Sequence, residues 1–512
     1  MKTFLIGLLI LLGGGIIYGR LCEHVFKPDN RTTPAIEKMD GMDFVPMNGI
    51  KVGFINLLNI AGTGPILGPI QGILFGPIAF ITIPIGCVIG GAVHDYFTGM
   101  IACREGGLQM PDLISRYVGV KISRVYTVFI SILMLLVGTV FVYTPGDIAA
   151  TQIFGFSGSP GSFSTWAIYG VIFIYYLIAT VLPIDKIIGR IYPIFGAILL
   201  LSTLGLFIML FVKQYPLVEL WGSKKIGGFD FGAYFSHGHF VPIFFVTVAC
   251  GILSGFHSTQ TTMMSRTLRD EREGRGVYYN MMITEGFIAM VWSACTMAMI
   301  SIGADQGGIT MKFSDGALLY MYNNGGTLEA ISATSVVGVI ARNALGSAGG
   351  IFAILGVIIL SVTTGDTALR SMRLMLTDLM HIPQDTNVKR LAFAAPIFAL
   401  VCMILIFAKS SPSGFSILWR YFGWGNQTVS IFALSMILIW MMRNNRQRFA
   451  WMPAIPLIFY SFVVSSYILN AQIGFRISWN IAYCFAAMFA VVVLAAVIRR
   501  GSHYSIIGPE NK

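Results

Sequence analysis

The residues of this chain able to hold a charge or a ligand lie inside its apolar runs. In AGTGPILGP, Gly62, Thr63, Gly64, Pro65, Gly68 and Pro69 interrupt a stretch otherwise able to form a helix. A second interruption falls in VTVACGILSGFHS, at Val246–Ser258, and brings Ser254, Gly255 and His257. Lipid supplies no hydrogen bonds, so backbone freed by Gly and Pro at membrane depth must face protein or a water-lined cavity. The leading N–H groups of each resumed half-helix carry partial positive charge and suit a carboxylate. The trailing carbonyls of each interrupted half suit a cation. Thr363 and Thr364, in SVTTGDTALR, add two hydroxyls. With carbonyls from Ala61 to Gly64 they would make an oxygen cage for Na⁺. Against these readings, a membrane-helix Thr usually bonds its own i−4 carbonyl, and glycines four apart also serve close helix packing.

Ionisable groups inside apolar spans are costly and are functional candidates by default. Glu285 and Asp366 are the acids placed to relay a proton, although Asp366 can also pair with Arg370 at i, i+4. Arg420, in LWRYFGWGNQTVS, is the one strong cation inside a span. It suits an anionic substrate, a gate with a carboxylate, or a plain anchor at the interface. Asn426 and Gln427 supply amides on the same segment. His94–Asp95 is expected to cap the cytoplasmic end of its span, with an inner gate as the alternative. Ser254 and His257 also suggest an intramembrane hydrolase. Three residues apart in an opened segment, they lack a clear third group to orient the base.

The elements that carry these residues must be transmembrane. Of 512 residues, 55% are hydrophobic and 11% charged, against about 25% charged in soluble domains; the mean hydropathy is +0.76. Seven cysteines without a CxxC pair argue against a disulfide framework or a zinc site. No cofactor is expected beyond Na⁺ as a coupling ion. The net charge of +11 has a topological source and implies no nucleic-acid partner. Thirteen apolar spans place 25 Lys and Arg on one side and eight on the other. That asymmetry puts the amino terminus outside and the carboxyl terminus in the cytoplasm. The first apolar run ends in GGGIIYGR without an A-x-A-like cleavage site and reads as a retained span. No GxxxxGK[ST] motif is present, which argues against transport driven by ATP.

From the second span, five spans reach Val212 and five more reach Met441. Each set opens with an interrupted helix, and the two sets run in opposite senses. This is the inverted five-plus-five repeat of leucine-transporter-like carriers, an all-α integral membrane fold with about three extra helices. The chain then divides into 1–49, a peripheral first helix and cytoplasmic loop; 50–212 and 240–441, the two repeats; 453–498, two peripheral helices; and 499–512, a cytoplasmic tail. At 1.5 Å per residue, Thr363 and Ala61 lie about 20 and 16 Å from the starts of their spans. Both are near mid-depth of a core roughly 30 Å thick. The loop 303–349 contains TLEAISATSVVGVIARNAL, expected to form a short amphipathic helix over the outer mouth, as a lid or as plain surface.

The chain resembles the carbon starvation protein A family through AGTGPILGP, GAVHDYF, LPIDKIIGRIYP, VACGILSGFHST, SVTTGDTALR and WRYFGWGNQT, from about Asn48 to Ser430. The resemblance implies a transporter of the amino acid–polyamine–organocation type in a bacterial inner membrane, acting on short peptides or pyruvate during nutrient limitation. The expectation is secondary import coupled to a cation gradient, H⁺ ahead of Na⁺. Its partners are then a small-molecule substrate and the lipid bilayer. The readings from other classes are an intramembrane hydrolase and a nutrient sensor without flux. The chain is shorter than the family's longer members, which makes substrate assignments from those members less direct.

Overall fold

The computed structural model describes residues 1–181, 184–226, 229–314, 317–411 and 413–502. Its apolar runs form helices: α1 (Lys2–Phe26), α2 (Gly49–Ala61), α3 (Gly64–Gly72), α4 (Ala79–Gly86) and α5 (Ala92–Arg104). Next come α6 (Val120–Ile148), α7 (Phe163–Val181), α8 (Ile184–Val212), α9 (Phe240–Val248), α10 (Phe256–Met264) and α11 (Asn280–Ile302). The last five are α12 (Ala333–Leu379), α13 (Asn387–Ser410), α14 (Gly414–Arg443), α15 (Trp451–Asn470) and α16 (Trp479–Ser502). Among the described residues, 12 helical stretches are long and apolar enough to cross a membrane, and α2 is a shorter apolar helix leading into α3. Residues 182–183 of LPIDKIIGRIYP and 503–512 of the expected tail lie outside the described residues.

The Asn48 side chain caps α2 by accepting the Ile50 N–H at 2.9 Å. The helix ends at Gly62, whose φ of 51° is a left-handed value that glycine adopts without a Cβ clash. Thr63 completes the interruption, and α3 resumes at Gly64 with Pro65 in its first turn, where a missing N–H is harmless. The expected opening of Ala61–Pro69 is therefore only Gly62 and Thr63. Pro69 stays helical because it removes one hydrogen bond from a helix buried along nearly its whole length. In the second interruption, α9 ends at Ala249, strained at φ 23°. A single 3-10 turn, Ala249–Gly251, and four non-helical residues lead to α10.

The two interruptions meet at the centre of the bundle, where α3 packs on α9 and the Ala249–Gly251 turn, with α11 alongside. A Cβ on Gly64 would lie 2.2 Å from Cys250 Cβ; on Gly68, 2.8 Å from the Val248 carbonyl oxygen; on Gly72, 2.3 Å from Val248 Cγ2. These glycines form the packing stripe of α3, whereas Gly62 makes the break. Around this centre, α12 runs along α6 and α8, α14 packs on α15, and α1 lies against α4 and α11.

Two sequence expectations are corrected. His94–Asp95 does not end its span: the pair is buried near the start of α5, which continues to Arg104. Within 303–349, Thr310–Ser314, Ala317–Asn324 and Thr327–Ile331 form an antiparallel sheet, with Asn324 opposite Thr327. Gly325 and Gly326, at φ 62° and 98°, supply the positive-φ pair that a two-residue hairpin turn needs. TLEAI is thus a strand, and the helix starts at Ala333, capped by Ser332, and bends at Gly346, φ 70°. Thr334 donates to Asp147 Oδ2 at 2.9 Å, and Asp147 pairs with Lys409 at 2.6 Å, tying the start of α12 to α6 and α13.

Candidate functional site

A chain of titratable side chains lies beside the second interruption. His94 Nδ1 is 2.8 Å from Asp95 Oδ1, and His257 Nδ1 is 3.0 Å from Asp95 Oδ2. His257 Nε2 is 3.7 Å from Glu285 Oε2. All four side chains are fully buried. His257 occupies the first turn of α10, which packs along α5. One turn further on, Thr98 and Thr261 share a hydrogen bond of 2.9 Å that fixes the register. With Asp95 ionised, each imidazole gives it an Nδ1–H, and the remaining nitrogen of His257 is basic and faces Glu285. The Glu285 carboxyl has no hydrogen-bond partner among the described residues. Glu285 and His257 face each other beyond hydrogen-bond distance, and the bond to Asp95 that orients the imidazole lies on its other nitrogen. Among the described residues, no group of three or more His, Cys, Asp or Glu side chains is placed to hold a metal ion.

Ser254, Gly255, Asn426 and Gln427, expected at the substrate, brace the opened backbone. Asn426 Oδ1 accepts from the Ser254 hydroxyl at 2.8 Å and the Phe256 N–H at 3.2 Å, and its carbonyl accepts from the Gly255 N–H at 2.9 Å. Gln427 Nε2 donates to the Leu253 carbonyl at 2.8 Å and to that of Phe245 at 3.3 Å. A Cβ on Gly255 would lie 2.4 Å from the Ser430 nitrogen, so α14 approaches this backbone closely. Since Ser254 donates to Asn426 and His257 Nε2 faces Glu285, the two residues weighed as nucleophile and base do not pair.

At the first interruption, the Thr364 hydroxyl donates to the Leu58 carbonyl at 2.6 Å, and its own Leu360 carbonyl lies at 2.9 Å. Thr364 thus meets the last turn of α2 beside Gly62, whose Cβ position is 3.3 Å from Thr364 Cγ2. Thr363 turns its hydroxyl onto the Leu360 carbonyl at 2.9 Å. Of the four residues expected to cage Na⁺, the structure brings Thr364 to the last turn of α2, which Ala61 closes; Gly64 packs on Cys250. Asp366 is buried and accepts from the Tyr192 hydroxyl at 3.0 Å. Glu285 and Asp366 belong to separate polar clusters.

Arg420 is exposed on a cavity of about 360 Å³ on the side that carries the sheet. Val246 and Thr247, just before the second interruption, and Gln71 of α3 also line it. Beneath it, Gly68 seats against the Thr247 and Val248 carbonyls. The sequence reading missed Asp95 as a site residue. The available signal was an acid–histidine pair followed by the still apolar YFTGMIAC.

Buried titratable groups where two interrupted helices meet, inside a bundle of membrane-length helices, define a multi-pass membrane protein with a transporter fold. Crystal structures of the Eremococcus coleocola manganese transporter share that fold at 12% identity, with TM-scores of 0.53 and 0.54, covering 91% of this chain and 98% of theirs. The chain belongs to the family described as Carbon starvation protein CstA, whose profile matches residues 1–153, 148–313 and 309–467. An uncharacterized membrane protein of Haemophilus influenzae is 40% identical over 337 residues, 58% of this chain and 91% of its own length. The Mycobacterium tuberculosis peptide transporter CstA is 25% identical, covering 86% of this chain and 71% of its own. The Escherichia coli peptide transporter CstA is 23% identical, with 85% and 76% covered.

Proposed function

We propose that this protein imports short peptides across a bacterial inner membrane, coupled to protons, with pyruvate as a second substrate sharing the carboxylate. The observation that carries the proton reading is His257, held between Asp95 and Glu285 at the second interruption. A proton on the His257–Glu285 pair cancels one negative charge at the point where the two interrupted helices meet. Loading and unloading it therefore changes the electrostatic cost of closing either side of the site. The substrate is assigned to the opened backbone at Gly62 and Thr63, since at the second interruption Asn426 already takes the Gly255 and Phe256 N–H groups. Peptides rank first because the relatives that cover most of the chain are named peptide transporters.

In this reading, α2 and α3 form one broken crossing, thirteen helices cross in all, and the two sets of five are inverted repeats. The segment boundaries at 49, 212, 240, 441, 453 and 498 follow from that division. The face bearing the sheet is outside, as the 25-to-8 partition of basic residues favours. Sodium coupling is the second reading, favoured by the Thr364 hydroxyl 2.6 Å from the Leu58 carbonyl at the end of α2. Counterflow with labelled dialanine and labelled pyruvate, in proteoliposomes at fixed pH with and without Na⁺, tests the assignment. Dialanine exchange without Na⁺ is expected. Exchange of neither compound would overturn the substrate reading, as would exchange of pyruvate alone.

A further inference from the structure

The cavity beside Arg420 has a one-sided charge. At about 360 Å³ it falls within the roughly 300–1,000 Å³ of small-molecule sites. Arg420 is the one charged side chain lining it among the described residues, and it has no hydrogen bond or ion pair with any of them. Aromatic rings, including Tyr234, Trp419, Tyr467 and Trp479, make much of the wall, and Gln71 and Asn470 add amides. No carboxylate lines the cavity among the described residues.

We propose that this cavity is an entry site that selects ligands by a free carboxylate and makes no demand for a ligand ammonium group. A guanidinium with free donors on an aromatic-walled cavity matches a carboxylate through charge-assisted hydrogen bonds. A site that demands a zwitterion fixes the ammonium with an anion or converging carbonyl oxygens, because an ammonium out of water without a partner is costly. Here the far end of the ligand meets ring faces and amides. Ring faces receive a cation, an acyl methyl or a keto group alike. The ligand class is therefore small carboxylates, N-acylated dipeptides and 2-oxo acids included, as well as free dipeptides. Val246 and Thr247 line the cavity and lead into the turn at Ala249, so a ligand held here lies beside the start of the second interruption.

The proposal rests on the importer reading only for the direction of entry, since binding is measured without transport. The test is equilibrium dialysis of the purified full-length protein in nanodiscs, with labelled dialanine, N-acetyl-dialanine and dialaninamide. Dialanine and N-acetyl-dialanine should bind within about threefold of each other. Loss of the charge-assisted contact should weaken dialaninamide by roughly ten- to a hundredfold. In Arg420→Gln the two acids should fall to the level of the amide. N-acetyl-dialanine tenfold or more weaker than dialanine would overturn the proposal, as would no binding of any of the three. So would an acid-over-amide preference that survives Arg420→Gln. Acid-selective binding with no counterflow would remove the importer reading and leave the site. Counterflow with no acid selectivity would do the reverse.

Discussion

Asp95→Asn tests the proton pair through the group that orients it. Asp95 accepts from His94 at 2.8 Å on one oxygen and from His257 at 3.0 Å on the other. Asn keeps one acceptor and turns the other into a donor. One imidazole must then present a bare nitrogen to it. If that imidazole is His257, its proton moves to Nε2, the nitrogen facing Glu285. An imidazolium at His257 would then have lost both the Asp95 charge and its Nδ1 acceptor, so the His257–Glu285 pair holds its proton less well. Breaking a buried, hydrogen-bonded charge pair costs about 3–5 kcal/mol. At about 1.4 kcal/mol per decade, the population able to carry a proton falls by roughly two to three and a half decades. In proteoliposomes, accumulation of labelled dialanine driven by a pH gradient should fall about a hundredfold. Counterflow at equal pH on both sides should persist, because exchange does not require the empty carrier to return. Undiminished accumulation in Asp95→Asn would refute the reasoning.

Gly62→Ala puts a side chain at φ 51° with its Cβ 2.5 Å from Phe141 Cζ. Strain of about 1–3 kcal/mol in a backbone region open essentially to glycine and displacement of the ring at about 1–3 kcal/mol should lower the melting temperature in detergent and abolish uptake; unchanged melting would contradict the geometry. Thr364→Val removes the hydroxyl that reaches the Leu58 carbonyl. Under proton coupling, uptake in Na⁺-free buffer should stay within about twofold, whereas Na⁺-dependent uptake with a raised half-maximal Na⁺ concentration would favour the sodium reading. Ser254→Ala should keep uptake while Asn426→Ala loses it, because the second leaves the Phe256 N–H and Ser254 hydroxyl without their acceptor, at about 1–3 kcal/mol per buried group. Equal effects of the two would remove the bracing role of Asn426.

Both interruptions were legible because glycine and proline act locally, but their lengths were not. A proline in the first turn of a resumed helix has the same sequence as one that breaks it, and burial decides which holds at Pro65 and Pro69. The glycine spacing of α3 was readable either as an opening or as a packing stripe. It is both, with Gly62 in the first role and Gly64, Gly68 and Gly72 in the second. The NNGG turn was a local signal for the hairpin, masked by the helical periodicity that follows it in SATSVVGVIARNAL. Glu285 was readable as an acid in an apolar run. Asp95 carried a signal beside His94, but its partner His257 is 162 positions away and only the packing of α10 on α5 brings them together. Asn426 and Gln427 were readable as buried amides, but only tertiary contact shows that their acceptor and donors meet opened backbone.

The most direct test of proton coupling is the proton itself. Purified protein is reconstituted in Na⁺-free proteoliposomes containing a pH-sensitive dye, with the same pH on both sides, and dialanine is added outside. The lumen should acidify as labelled dialanine enters, and Glu285→Gln should abolish the acidification while leaving counterflow. Entry of labelled dialanine with no change in lumenal pH would contradict proton coupling through the His257–Glu285 pair.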